Sequence, residues 1–257
     1  MTRKTHFTEE NIPYEKLETL GISRVNVLDL PREVLDPLMD GRVTPLIMTR
    51  YHAENGKIIE MPMKLQLVNG EEGEVNLMTY QVRKDIERAT VRLNNHDTAR
   101  LEKGQALQKE ITENGRKRQK YVQLDPETRS LMLRDKATLQ IAERLREVEK
   151  VKDIELGTNQ KQAVIEGKPV ELAVGDQKVT VGIDLREPQG FKVVNGDMNE
   201  WERQAKIRYD EGREDFMGYV MTDENRWEYR KVVERLSPME ERKTTLKEDR
   251  RSPGLRL

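Results

Sequence analysis

Along this 257-residue chain the apolar positions switch from a helical spacing to a strand alternation three times, each time at a glycine. The first helical stretch, Leu30-Pro31-Arg32-Glu33-Val34-Leu35-Asp36-Pro37-Leu38-Met39-Asp40, closes on Gly41. The second, Asp97-Thr98-Ala99-Arg100-Leu101-Glu102-Lys103, closes on Gly104, and the third, from Thr158 to Glu166, closes on Gly167. The two intervals between these glycines are both 63 residues. A helix that must stop favours a left-handed C′ residue, where a Cβ costs energy, so each glycine predicts a helix end. Pro31 suits a first helical position, and Asp97 and Thr158 suit N-caps.

Strand patterns follow each glycine. Val43 to Tyr51, Ile58 to Val68 and Val75 to Tyr80 are separated by turns at Glu54-Asn55-Gly56-Lys57 and Asn69-Gly70-Glu71-Glu72-Gly73. Gln105 to Thr112 and Arg118 to Leu124 flank Asn114-Gly115, with a further turn at Asp125-Pro126-Glu127. Lys168 to Val174 and Gln177 to Asp184 flank Gly175-Asp176, and the bend 186–190 precedes Phe191-Lys192-Val193-Val194. Asn-Gly and Gly-Asp supply the positive φ that tight hairpins need. A helix with two or three strands cannot bury a core alone, so the copies must stack on one another or on the helices between them.

Those helices are predicted over 7–20, 135–152, 197–209 and 224–236, the last two flanking a short strand at Phe216–Met221. In the second, Leu139, Ile141, Leu145, Val148 and Val151 form an apolar stripe on a charged rod. The resulting expectation is an α+β protein of three repeated helix–Gly–hairpin units with a small C-terminal subdomain. Its segments are 1–95, with the first unit; 96–152, with the second unit and the charged helix; 153–196, the third unit; 197–236, an aromatic-containing subdomain; and 237–257, a polar disordered tail.

Composition sharpens this. Charged residues are 36% and aromatics 5% of the chain, and 46 basic against 47 acidic residues give a net charge of −1. Ordinary soluble domains are roughly 25% charged. Much surface per unit of core fits small modules and solvated helices better than a deep enzyme-like interior. Near-neutrality excludes a dedicated DNA-coating protein, although 96–152 holds 14 basic residues against 10 acidic ones. The absence of cysteine removes thiol nucleophiles and thiolate metal sites. Residues 1–8 carry no signal-peptide core, and no apolar run is long enough for a bilayer, so the expected location is the cytoplasm.

None of the familiar catalytic constellations is complete in the sequence. His6, His52 and His96 lie in different segments without a His-x-x-x-His spacing. No Gly-x-Ser-x-Gly, Gly-x-Gly-x-x-Gly or P-loop occurs, and the acidic Asn69–Glu74 turn would repel phosphate. Asp153-Ile154-Glu155 reads as solvated surface rather than a Mg²⁺ site. No catalytic residue, metal site or cofactor is expected, and an enzyme reading ranks last.

Two groups of residues point to binding instead. Lys109, Arg116, Lys117, Arg118 and Lys120 cluster about the second hairpin, with Tyr121 following. Alternation puts Arg116, Arg118 and Lys120 on one strand face and Lys117 and Tyr121 on the other. Such a ribbon can track phosphates and stack a base, although Glu110 and Glu113 lie beside it. Trp201, Tyr209, Phe216, Tyr219, Trp227 and Tyr229 concentrate the aromatics late in the chain, as a packed core or, through Trp201, Phe216 and Trp227, as partner anchors.

Phe7-Thr8-Glu9-Glu10-Asn11-Ile12-Pro13-Tyr14 through Leu20-Gly21-Ile22 and Gly41-Arg42-Val43, and Gly167-Lys168-Pro169-Val170 through Phe191, resemble paired, uncharacterised domain families of Bacteroidetes mobile elements. Such domains occur on conjugative transposons and appended to some type IA topoisomerases. The likeness covers most of 7–236, rests on caps, turns and strand patterns, and transfers no catalytic residue. It implies a DNA-transaction neighbourhood. The functional expectation is therefore a non-enzymatic accessory protein that binds DNA, or a topoisomerase or other DNA-processing protein. The alternative is a protein–protein adaptor that never touches nucleic acid.

Overall fold

The computed structural model describes residues 6–232, apart from 53–55, 71–72, 84, 88–90, 114, 153 and 207–215. The expected tail 237–257, Tyr209 and parts of the 54–57, 69–73 and 114–115 turns lie outside the described residues. A 3₁₀ turn, Glu9–Asn11, opens the chain and is followed by α1 (Tyr14–Thr19), α2 (Arg24–Leu28) and α3 (Arg32–Met39). Strands β1 (Ile47–His52), β2 (Ile58–Asn69) and β3 (Val75–Gln81) come next. Helix α4 (Asn95–Glu102) leads into β4 (Leu107–Glu113), β5 (Arg116–Leu124) and β6 (Leu131–Asp135). Helices α5 (Lys136–Leu139) and α6 (Ile141–Lys152) precede α7 (Thr158–Ile165), which leads into β7 (Val170–Val174), β8 (Gln177–Ile183) and β9 (Phe191–Asn195). The described part ends with α8 (Met198–Lys206), β10 (Met217–Met221) and β11 (Trp227–Lys231).

The fold is mixed α+β with three small sheets. Their orders are β11-β10-β1-β2-β3, β4-β5-β6 and β7-β8-β9. The three glycines behave alike. Gly41, Gly104 and Gly167 have φ of +74°, +74° and +89°. In each case the glycine N–H and the next N–H donate back into the final helical turn: Gly41 to Leu38 and Arg42 to Pro37, Gly104 to Leu101 and Gln105 to Arg100, Gly167 to Val164 and Lys168 to Ala163. This is the Schellman closure, which satisfies carbonyls the helix leaves open. The helix starts differ slightly from the sequence expectation: Pro31, expected at the first helical position, is the N-cap of α3, whereas α4 and α7 start earlier than expected. Asn94 caps α4, its side chain accepting from Asp97 N–H while the Asp97 carboxylate accepts from Asn94 N–H, so Asp97 is the far half of a capping box. Gly157, not Thr158, stands at the α7 N-cap.

The sheets do not sit as separate beads. One cluster of buried side chains takes Tyr80 from β3, Tyr121 and Met132 from the second sheet, and Leu172, Val181, Ile183 and Phe191 from the third. A second cluster packs α1–α3 (Leu17, Val27, Val34, Leu38) onto β1 and β2 (Ile47, Met63, Leu65, Leu67). Backbone bonds also cross between units: Ala106 N–H donates to Gly167 O, Val43 N–H to Arg186 O, and Arg83 N–H to Thr128 O. A Cβ on Gly167 would lie 2.1 Å from Ala106 O, so the glycine serves close approach as well as helix termination.

Further sequence expectations need correction. The one helix expected over 7–20 is the 3₁₀ turn Glu9–Asn11 and the separate α1, because Pro13 keeps Ile12 extended between them. The helix expected over 224–236 is the strand β11 across Trp227–Lys231, because Trp, Tyr and alternating charges fit a half-covered edge next to β10. The segment after 197 has no separate core among the described residues: α8 lies on the third sheet, whereas β10 joins β1 in parallel at Ile47 and Tyr219. The single rod expected over 135–152 is broken at Gln140, whose φ is +46°. The break puts both Leu139 and Ile141 against Gly190, where a Cβ would lie 2.7 Å from Leu139 Cδ2 and 3.1 Å from Ile141 Cδ1.

Candidate functional site

The basic hairpin is a set of ion pairs. Across β4 and β5 the register sets Glu110 opposite Gln119 and Glu113 opposite Arg116, so acids and bases share the ribbon. Lys109 Nζ lies 2.7 Å from Asp97 Oδ2, and Lys117 Nζ lies 2.8 Å from Glu110 Oε1. Arg118 reaches Asp135 at 3.7 Å. Lys120 is buried, 2.5 Å from Glu113 and 3.8 Å from Asp135. Burial works against ionisation of Asp97, but the hydrogen bonds from Lys109 and the Asn94 backbone outweigh it and hold the carboxyl below its ordinary value. Lys117 is held above its usual value by its hydrogen bond to Glu110.

Tyr121 is the clearest departure from the base-stacking expectation. It is 1% exposed, and its hydroxyl donates to Ile165 O at 2.8 Å. Burial pushes its phenol up to about 12. A ring held that way is part of the joint between the second and third sheets. Its register neighbour Gln108 also donates to Ile165 O.

The late aromatics do not form one anchor patch either. Trp201 is buried with its ring over Gly182, where a Cβ would lie 2.7 Å from the indole Cη2. Phe216 packs beside Leu46, Met48, Val220 and Val232. Trp227 packs with the α1–α3 cluster and donates from Nε1 to Asn26 O at 3.2 Å. Trp201 is thus on the third sheet, and Phe216 and Trp227 belong to different clusters of the first.

What Arg118 and Tyr121 do share is a cleft of about 560 Å³ between β5 and the α5–α6 corner. Its apolar lining comes from Tyr121, Ile141, Ala142 and Ile165, and Arg118, Asp135, Lys136 and Glu143 also line it. Lys136 donates to Gln108 Oε1 at 3.0 Å, which holds the start of α5 against β4. The corner itself is the left-handed Gln140, an uncommon conformation for a residue with a Cβ and one that calls for an explanation. Sequence reasoning missed this corner, yet a signal existed. Leu139 and Ile141 are two apart, a spacing that a continuous helix cannot bury on one side.

The most buried charges lie elsewhere. Lys64 Nζ is 3.2 Å from Asp125 Oδ1 and 2.7 Å from Glu127, and Asp184 is 2.7 Å from Arg186. Asp125 also accepts from the N–H and Oγ1 of Thr128. The Lys64 pairs join the first sheet to the second, whereas Asp184–Arg186 is local to the bend after β8. Among the described residues, no group of three or more His, Cys, Asp or Glu is placed to hold a metal ion. No described helix is long and apolar enough to cross a membrane.

Fold and site together define a small three-sheet α+β protein with an apolar cleft rimmed by both signs of charge. Residues 7–89 match a family model described as a protein of unknown function (DUF4099), a span that covers α1–α3 and β1–β3. No curated protein and no solved structure matches the chain.

Proposed function

We propose that this chain is a non-enzymatic accessory protein that holds a protein partner through the β5/α5–α6 cleft, without direct nucleic-acid contact. The observation that carries this reading is the contrast inside the second unit. The hairpin's bases lie against carboxylates, whereas the neighbouring cleft offers an apolar floor and unlike charges, the lining that suits a peptide segment. The cytoplasm and the DNA-processing machinery of a mobile element are the proposed setting, supported by the sequence resemblance. The shared helix–glycine–meander order and the 63-residue spacing support reading the three units as copies of one repeat.

Selection from a displayed library of random 12-residue peptides tests the proposal. Enriched sequences should carry an apolar residue next to acidic or basic ones, and should lose binding to Ala142→Trp. Ala142 is exposed, so the indole fills the cleft without disturbing the core. No enrichment, or binding that ignores Ala142→Trp, would overturn it.

A further inference from the structure

Among the described residues, no further strand pairs with the outer side of the first sheet's last strand. β11 is its terminal strand, and Glu228, Tyr229, Arg230 and Lys231 are all exposed. The opposite edge is partly covered, since Ser130 Oγ donates to Gln81 O and Arg83 N–H to Thr128 O. Of the four exposed large apolar side chains among the described residues, three lie on β11 or on α2: Tyr229 at 57%, Val25 at 67% and Leu28 at 50%. The Trp227–Asn26 hydrogen bond holds α2 against this strand.

The phase of the edge follows from the hydrogen bonds at its ends. Thr222 N–H donates to Arg226 O, and Val232 N–H donates to Phe216 O. In an antiparallel pair bonded residues alternate, so 226, 228, 230 and 232 bond inward to β10. Trp227 and Tyr229 therefore point their N–H and C=O groups outward. Tyr219 and Tyr229 are then a non-hydrogen-bonded pair, in agreement with ring centroids only 5.0 Å apart.

We infer that this edge pairs with the same edge of a second copy of the chain. An antiparallel pairing centred on Tyr229 puts Tyr229 opposite its own symmetry mate, with the outward backbone groups of both strands meeting as a bonded pair. Glu228 then falls opposite Arg230 of the second copy, and Arg230 opposite Glu228, both in the close, non-bonded positions. The stretch Glu228-Tyr229-Arg230 is thus complementary to itself in one register, the condition a two-fold interface imposes. The two sheets become one ten-stranded sheet. This surface is on a different sheet from the cleft, and the inference stands apart from the cleft's occupant.

The natural absence of cysteine gives a direct test. In this register the Tyr229 Cα atoms lie about 5.5 Å apart, within disulfide reach, while those of Glu228 lie beyond it. Under mild oxidation Tyr229→Cys should become mostly covalent dimer and Glu228→Cys should stay mostly monomer. By sedimentation, wild type should rise from 30.1 kDa towards twice that mass between about 1 and 500 µM. Glu228→Arg and Arg230→Glu should each weaken dimerisation at least tenfold, and the double swap should restore it to within about threefold. A wild type that stays monomeric throughout, equal cross-linking of both cysteine variants, or a double swap that recovers nothing would each overturn the inference.

Discussion

Gln123 donates from its side-chain amide to Gly104 O at 3.0 Å, the carbonyl of the glycine that ends its own unit's helix. The same amide donates to Ile183 O at 2.7 Å, and Leu185 N–H donates to its Oε1 at 2.8 Å. Gln66 repeats the arrangement one unit earlier, donating to Gly41 O at 3.1 Å and to Leu185 O at 3.0 Å. Two buried amides therefore bind the first and second units to the bend after β8. Gln123→Leu leaves two carbonyls and one N–H without that partner, and should cost about 3 kcal/mol. Urea unfolding checks this, with an unchanged slope if the native state stays compact.

Glycine substitutions should separate conformation from contact. At Gly115 φ is +76° and nothing lies within 4 Å of a new Cβ, so Gly115→Ala should cost about 1–2 kcal/mol for the left-handed backbone alone. At Gly167 the same backbone term is joined by a 2.1 Å approach to Ala106 O. Gly167→Ala should therefore exceed about 3 kcal/mol in the same unfolding measurement.

The buried carboxylates set the acid limb of stability. Burial opposes ionisation of Asp125, but Lys64, Arg186 and the Thr128 hydrogen bonds outweigh it, and its carboxyl is held low. Asp184 is held low in the same way by Arg186. A depressed folded value adds stability above the unfolded value near 3.9, and that stability is lost as pH falls through the folded value. Melting temperature should be nearly flat from about pH 7 to 5 and fall below about pH 4. Asp125→Asn should melt lower at neutral pH and show a shallower acid decline.

Nucleic acid should bind weakly. Fluorescence anisotropy with labelled 20-nucleotide single-stranded and duplex DNA at about 50 mM salt should show no dissociation constant tighter than about 10⁻⁴ M. Changing Arg116, Lys117 and Arg118 to Glu should leave the signal unchanged.

Much of the architecture was legible because its signals are local. Gly41, Gly104 and Gly167 announce themselves by what a left-handed backbone excludes, and the hairpins by their turn residues. Partners distant in sequence were not legible. Lys120 and Tyr121 look like a basic, aromatic ribbon until Glu113, Asp135 and the Ile165 carbonyl are brought to them. Trp227 and Tyr229 read as helical because the strand they extend, β10, pairs with β1 from the start of the chain. The cleft depends on the turn at Gln140, which carries no Gly, Asn or Pro to mark it.

Calorimetric titration of a cleft-selected peptide into wild type and Ala142→Trp bears most directly on the proposed role. The account predicts micromolar binding to wild type and at least 30-fold weaker binding to the variant, with both melting at the same temperature. Equal affinity for the two proteins would contradict it.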